Sequence, residues 1–157
     1  MLQSFVGRKP VIGIFDSSIT TALHLTLPNS KFGILTTGDN WTDPLVEGVK
    51  SFLGTREATS ISSIFGGVAA TGVTIDDIGI ESHIAAKAKV TKATRQLVRG
   101  GDISVVCVGG AILNGMENWI REACVAELGL ESGERVQVVD QMLAGIMTLY
   151  SLYYIRA

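Results

Sequence analysis

Cysteine, histidine and proline are scarce in this sequence, with two, two and three among 157 residues. Two cysteines cannot build the disulfide framework of a small secreted domain. Neither His24 nor His83 has cysteines or carboxylates clustered around it at ligand spacing, which argues against a metal site and leaves both as surface or helix-packing residues. Charge of one sign is also lacking. The formal net charge is −2, with basic residues interspersed among acidic ones, so nothing points to nucleic acid or to an acidic membrane surface. Aromatic residues make up only 6% of the chain, and the basic Lys92, Arg95 and Arg99 share a face with no aromatic platform for stacked bases. No apolar run reaches membrane length, and the start lacks a basic-then-apolar leader. A serine nucleophile elbow of the G-x-S-x-G type is missing, and no G-x-G-x-x-G fingerprint follows a strand. These absences lead us to expect a cytoplasmic protein that holds no metal and binds neither nucleic acid nor membrane.

Glycine, by contrast, is plentiful: 18 residues, beside many Val, Ile, Ala and Thr, a composition that favours an α/β fold with numerous turns. The length suits one domain with a substantial core. The central stretch is Gly101 to Leu128. Ile103 to Val108 is a nearly uninterrupted apolar run rich in β-branched residues, as in a strand covered on both faces. Gly109-Gly110 ends it. Met116, Ile120 and Ala123 then recur at helical spacing, with Glu117 one turn before Arg121, which predicts a helix from near Asn114. Unpartnered N–H groups at such a strand-to-helix turn can receive a carboxylate or phosphate, and two glycines let a ligand approach the main chain closely. For a lone Gly-Gly pair, a merely tight turn is the simpler explanation.

In chain order, Met1 to Val6 has the pattern of a helix's last turns, capped by Gly7, and Val11 to Phe15 reads as a strand. Asp16-Ser17-Ser18 offers N-caps for a helix to about Leu25. Lys31 to Leu35 is a second strand ending at Thr36-Thr37-Gly38, before a helix from Asp43 to Phe52 with Pro44 in its first turn. Ile64 to Ala70 is a short strand, Ser82 to Arg99 a long helix with Ala86, Val90, Ala93 and Leu97 on one side, and Val136 to Val139 a last strand. Asp140 caps a final helix whose apolar residues go almost all the way round, so we expect a second copy or a companion chain to cover it. Ligands of open α/β sheets collect beyond the carboxyl ends of strands, where Ser17, Thr36, Thr37 and the Gly109-Gly110 pair would lie.

Several segments, in order, resemble one family. They are Pro10-Val11-Ile12-Gly13-Ile14-Phe15-Asp16-Ser17-Ser18, Phe32-Gly33-Ile34-Leu35-Thr36-Thr37-Gly38, Phe65-Gly66-Gly67-Val68 with Thr71-Gly72, and Val106-Cys107-Val108-Gly109-Gly110-Ala111-Ile112-Leu113. The last is followed by Gly115-Met116-Glu117-Asn118-Trp119-Ile120-Arg121-Glu122-Ala123-Cys124. The chain resembles the Asp/Glu/hydantoin racemases, in particular the fungal hydantoin- or allantoin-racemase-like branch.

The resemblance implies a Rossmann-like parallel sheet with flanking helices, corresponding to the second lobe of a two-lobe fold. It implies one racemase-like domain over 1–157, with 1–9 the remnant of a preceding helix and 140–157 the apolar C-terminal helix. It also implies cofactor-independent racemisation of amino-acid derivatives or of hydantoin- or allantoin-type cyclic ureides, by two cysteines on opposite faces of the α-carbon. A small carboxylate or cyclic ureide would be held by Ser17, Thr36, Thr37, Gly109, Gly110 and Ala111. Where the family usually has glutamate, this chain has the shorter Asp16.

Two departures bear on activity. The family's second cysteine falls on Gly110, and glycine cannot transfer a proton. The first belongs to a lobe upstream of Pro10, where this sequence has only nine residues, so the expectation is a chain shortened at its N-terminus. Cys107 and Cys124 read as core residues. The expectation is therefore a racemase-family protein impaired in catalysis, with a non-catalytic anion-binding or protein-interaction module as the alternative.

Overall fold

The structure, a computed structural model, describes residues 9–54, 61–78 and 83–155. Its elements are α1 (Ile14–Leu25), β1 (Lys31–Thr36), α2 (Thr42–Leu53), β2 (Phe65–Ala70), α3 (His83–Val98), β3 (Ile103–Val108), α4 (Glu117–Leu128), α5 (Leu130–Arg135), β4 (Gln137–Asp140) and α6 (Gln141–Ile155). Short 3-10 turns at Asp39–Trp41, Ile75–Ile78 and Ala111–Leu113 link them. The four strands form one parallel sheet in the order β2-β1-β3-β4. Ile34 pairs with Cys107, and Cys107 with Val139, so the carboxyl ends of β1, β3 and β4 finish level with one another.

Alternation along the strands divides the core in two. Phe32, Ile34, Val105, Cys107 and Val139 face Ile19 and Ala22 of α1, Val49 of α2 and Ala144 of α6. On the other face, Leu35, Val106 and Val108 meet Val90, Ala93 and Val98 of α3 and Ile120 and Cys124 of α4. All six residues of β3 are buried, as helices on both faces require. Each fully buried Val, Leu, Ile or Phe contributes about 1.5–3 kcal/mol relative to exposure. Close approach depends on missing side chains at two points. A β-carbon at Gly33 would lie 2.9 Å from Leu97 of α3, and one at Gly133 would lie 2.4 Å from the Val125 backbone, where α5 folds onto α4.

Four expectations need correction. Residues 11–13 form no strand; the helix begins at Ile14 with Gly13 as its N-cap. A short apolar run does not separate strand from helix, and within α1 the serine and threonine hydroxyls turn back onto the helix carbonyls. Ser18 Oγ donates to the Ile14 carbonyl, Thr20 to Asp16 and Thr21 to Ser17, each at 2.8 Å. Secondly, α4 starts at Glu117 rather than near Asn114, because Gly115 stands at φ +85°, which no helix continues through. Thirdly, Glu117 does not reach Arg121; its Oε1 accepts the Gly115 N–H at 3.0 Å, while Arg121 donates to Asn118. Fourthly, α5 was not anticipated, since it is short and polar and contains Gly133. The expected helix end over Met1 to Gly7 lies outside the described residues.

Other expectations hold. Asp140 caps α6, its Oδ1 accepting from the N–H of Met142 at 2.7 Å and of Leu143 at 3.1 Å. The basic face of α3 is partly neutralised, with Arg95 Nε 2.6 Å and Arg99 Nε 3.6 Å from the Glu127 carboxylate of α4. The outer face of α6 is bare: Leu143, Ile146 and Tyr153 are 57%, 60% and 65% exposed. Among the described residues no helix is long and apolar enough to cross a membrane.

Candidate functional site

A cavity of about 370 Å³ opens beyond the carboxyl ends of the strands. Its floor is the end of β3 and the turn that follows, Cys107 to Ile112. The Gly109 N–H donates to the Leu35 carbonyl at 2.7 Å, extending the β1–β3 pairing one residue past the strand. A β-carbon at Gly109 would stand 2.7 Å from Ile34 Cγ2 and 2.9 Å from the Leu35 carbonyl oxygen, so this position has no room for a side chain. Gly110 is different. Its backbone is extended, with φ −157°, a conformation open to any residue, and a β-carbon there would meet only Thr37 closely, at 3.0 Å from Cγ2.

The wall contributed by β1 is Ile34 and Thr37. Thr37 is held by the turn after β2: its carbonyl accepts the Gly72 N–H at 2.6 Å and the Thr71 hydroxyl at 3.4 Å. Of the six residues expected to hold a ligand, the cavity brings together Thr37, Gly109, Gly110 and Ala111. Thr36 is not on its wall; it is 1% exposed, the last residue of β1 and packed within the sheet. Ser17 does not reach the cavity either. It is fully buried in α1, and its hydroxyl donates to the Gly13 carbonyl at 3.1 Å. The early start of α1 turns the next residue, Ser18, toward the cavity in its place.

Sequence reasoning missed the rest of the lining. Phe15 and Ile19 of α1, Leu45 of α2 and Trp41 in the turn before it make the cavity predominantly apolar. Trp41 stands at the mouth, 53% exposed. An aromatic residue shortly after a strand-end turn was the available signal for it. Gln141, the first residue of α6, closes the remaining side. It is 7% exposed. With its carboxamide oxygen turned toward the β3 turn, it accepts the N–H of Gly110 at 3.2 Å and of Ala111 at 3.1 Å. In that orientation the N–H groups of Gly110 and Ala111, at the turn expected to receive an anion, have a partner inside the chain.

The chemistry of this lining is narrow. It contains no histidine, lysine, arginine or carboxylate among the described residues, and its one thiol is Cys107. Cys107 is 2% exposed, and its Sγ donates to the Ser18 carbonyl at 3.8 Å. Burial pushes this thiol up to about 12, which disfavours the thiolate at neutral pH. Cys124, buried between α4 and the sheet, is pushed up to about 11 for the same reason and is not part of the lining. Among the described residues no group of three His, Cys, Asp or Glu side chains could hold a metal ion.

Comparison with known proteins then assigns the family. The model of the Asp/Glu/hydantoin racemases matches residues 1–149. The chain belongs to the Asp/Glu/hydantoin racemase family. An uncharacterized protein of Schizosaccharomyces pombe is 27% identical over 146 residues, which are 92% of this chain and 54% of that protein. The crystal structure of allantoin racemase from Pseudomonas fluorescens superposes with a TM-score of 0.70 at 22% identity, over 98% of this chain and 56% of that one. This racemase-family chain thus shares the α/β fold of that enzyme and spans about half the length of both relatives.

Proposed function

We propose that this chain provides the ligand-binding half of a racemase-type site, and that it holds a small hydantoin- or allantoin-type cyclic ureide, or a related amino-acid derivative, without inverting it. Family membership supports the reaction class, and the structural likeness to an allantoin racemase supports the ureide. One observation carries the second half of the proposal. At the turn where the resemblance places a catalytic cysteine, the cavity lining is Gly110, and the thiol that does line the cavity is buried and pushed up to about 12. Moving a proton to or from a carbon requires a group within hydrogen-bond reach whose pKa lies near the operating pH. Thr37 and Ser18 can orient a ligand, but their hydroxyls cannot serve that purpose unaided.

Trp41 gives the test a direct signal. Adding 5-methylhydantoin should change the intrinsic fluorescence saturably, and Trp41→Phe should abolish the change while leaving Trp119, edge-on to His83 at 5.2 Å, in place. Absence of both a saturable signal and a heat of binding would refute the proposal.

The coverage of the relatives favours a second reading, racemisation in an assembly in which another lobe faces this cavity. Such a lobe would bring a base to one face of the ligand only. The exposed outer face of α6 supports a contact surface for a second copy or a companion chain.

A further inference from the structure

The lining of the cavity and the position of Gln141 carry an inference that rests on the ureide-binding reading and sharpens it. A ligand carboxylate entering a site of this kind needs cations or free N–H groups, because a buried charge without partners is strongly unfavourable. The lining offers no cation among the described residues. Its two convergent N–H groups, on Gly110 and Ala111, lie 3.2 and 3.1 Å from the carboxamide oxygen of Gln141 in the amide orientation that pairs donors with acceptors. Gln141 is held in that place from behind. It is the first residue of α6, fixed by the Asp140 cap, and α6 lies close against α1, where a β-carbon at Gly145 would be 3.0 Å from Ile14 Cγ2. A neutral carbonyl oxygen thus takes the place that an anionic one would need.

We propose that Gln141 is a specificity-determining residue: by occupying the Gly110 and Ala111 N–H groups, it makes the cavity select uncharged carbonyl compounds and reject carboxylates. The other lining residues fit this role. Phe15, Ile19 and Ile34 offer apolar contact to a flat ring, and Thr37 offers a hydroxyl that can donate or accept. A cyclic ureide satisfies such a wall, whereas its ring-opened N-carbamoyl acid brings a carboxylate that nothing on the wall neutralises.

The test compares 5-methylhydantoin with N-carbamoylalanine, which differs from it by one water and a negative charge at neutral pH. Titration calorimetry on the whole chain should show wild type preferring the hydantoin by about tenfold or more, and Gln141→Ala should lower that preference by about tenfold by freeing the two N–H groups. Gln141→Glu keeps the oxygen in place and adds a charge, so it should still reject the acid. A ligand-independent readout accompanies these: amide exchange at Gly110 and Ala111 should be faster in Gln141→Ala by about tenfold or more. If the hydantoin binds but the preference is unchanged in Gln141→Ala, the role of Gln141 is refuted and the ureide reading stands. If neither compound binds wild type, the ureide reading fails. In that case unchanged exchange at the two amides refutes the Gln141 contact as well, and faster exchange upholds the contact while the selectivity falls with the site.

Discussion

Gly110 and Thr37 face each other across the cavity floor so closely that a β-carbon on Gly110 would lie 3.0 Å from Thr37 Cγ2. The next nearest atoms are the Thr37 nitrogen at 3.8 Å and Leu113 Cγ at 3.9 Å, so a single methyl group separates this position from accepting a side chain. Gly110→Cys should fold and lose about 1 kcal/mol, and adding Thr37→Ser, which removes the methyl, should restore most of it. Thermal or denaturant unfolding of the two variants against wild type and Thr37→Ser checks this. A loss unrelieved by Thr37→Ser would show that the constraint lies elsewhere.

The two native thiols should be silent. Burial holds Cys107 at about 12 and Cys124 at about 11, and the thiolate is the nucleophile. Ellman's reagent at about pH 8 should leave both unreacted in the folded protein and titrate both in denaturant. In Gly110→Cys one further thiol should react in the folded state, because it stands on the cavity wall. Rapid labelling of the wild-type protein while it remains folded would contradict the burial of Cys107.

How much of this was legible in the sequence follows from how local each signal is. Lys31 to Leu35, Ile64 to Ala70 and Ile103 to Val108 read as strands because short, largely apolar runs bounded by turn residues need no knowledge of distant partners. Val11 to Phe15 looks the same on that criterion, yet folds as an irregular entry and the first turn of α1, with Val11 41% exposed. Whether such a run joins the sheet is decided by its neighbours in the fold and not by the run itself. The Gly109-Gly110 turn and Thr37 were readable from their place at strand ends. Gln141 was not. A glutamine following an aspartate cap carries no local signal, and it meets Gly110 only because β3 and β4 lie side by side and end level. Ser17 and Ser18 could not be told apart without the true start of α1, since one residue turns a helix by about 100°.

Asp77 ties the segment after β2 to α3. Its carboxylate accepts from Lys89 Nζ at 2.9 and 2.7 Å and from the Thr74 N–H at 2.8 Å. The hydrogen bond from Lys89, then that from the Thr74 backbone, holds the Asp77 carboxyl below its ordinary 3.8. A carboxylate with a depressed folded-state pKa stabilises above its unfolded pKa and loses that contribution as pH falls through the folded value. Wild type should therefore lose stability below about pH 4 more steeply than Asp77→Asn. Denaturant midpoints measured down the acid range check the sign, and parallel acid profiles for the two proteins would contradict it.

The bare face of α6 predicts association. Leu143, Ile146 and Tyr153 present apolar surface that a free helix of this length would keep covered. Light scattering after gel filtration should show a dimer or larger species that Ile146→Glu weakens without lowering the unfolding free energy of the separated chain by more than about 0.5 kcal/mol, since Ile146 is 60% exposed. A monomer at every concentration would count against self-association and leave a companion chain as the partner.

Exchange at the α-carbon decides whether the chain binds a ureide without inverting it. The purified chain, incubated with one enantiomer of 5-methylhydantoin in deuterium oxide at neutral pH, is followed by proton NMR and chiral chromatography. The ligand should bind while its α-proton signal decays no faster than in a protein-free control, and Gly110→Cys should support exchange on one face without efficient inversion. Stereoinversion or deuterium incorporation by the wild-type chain alone, above that control, would contradict it.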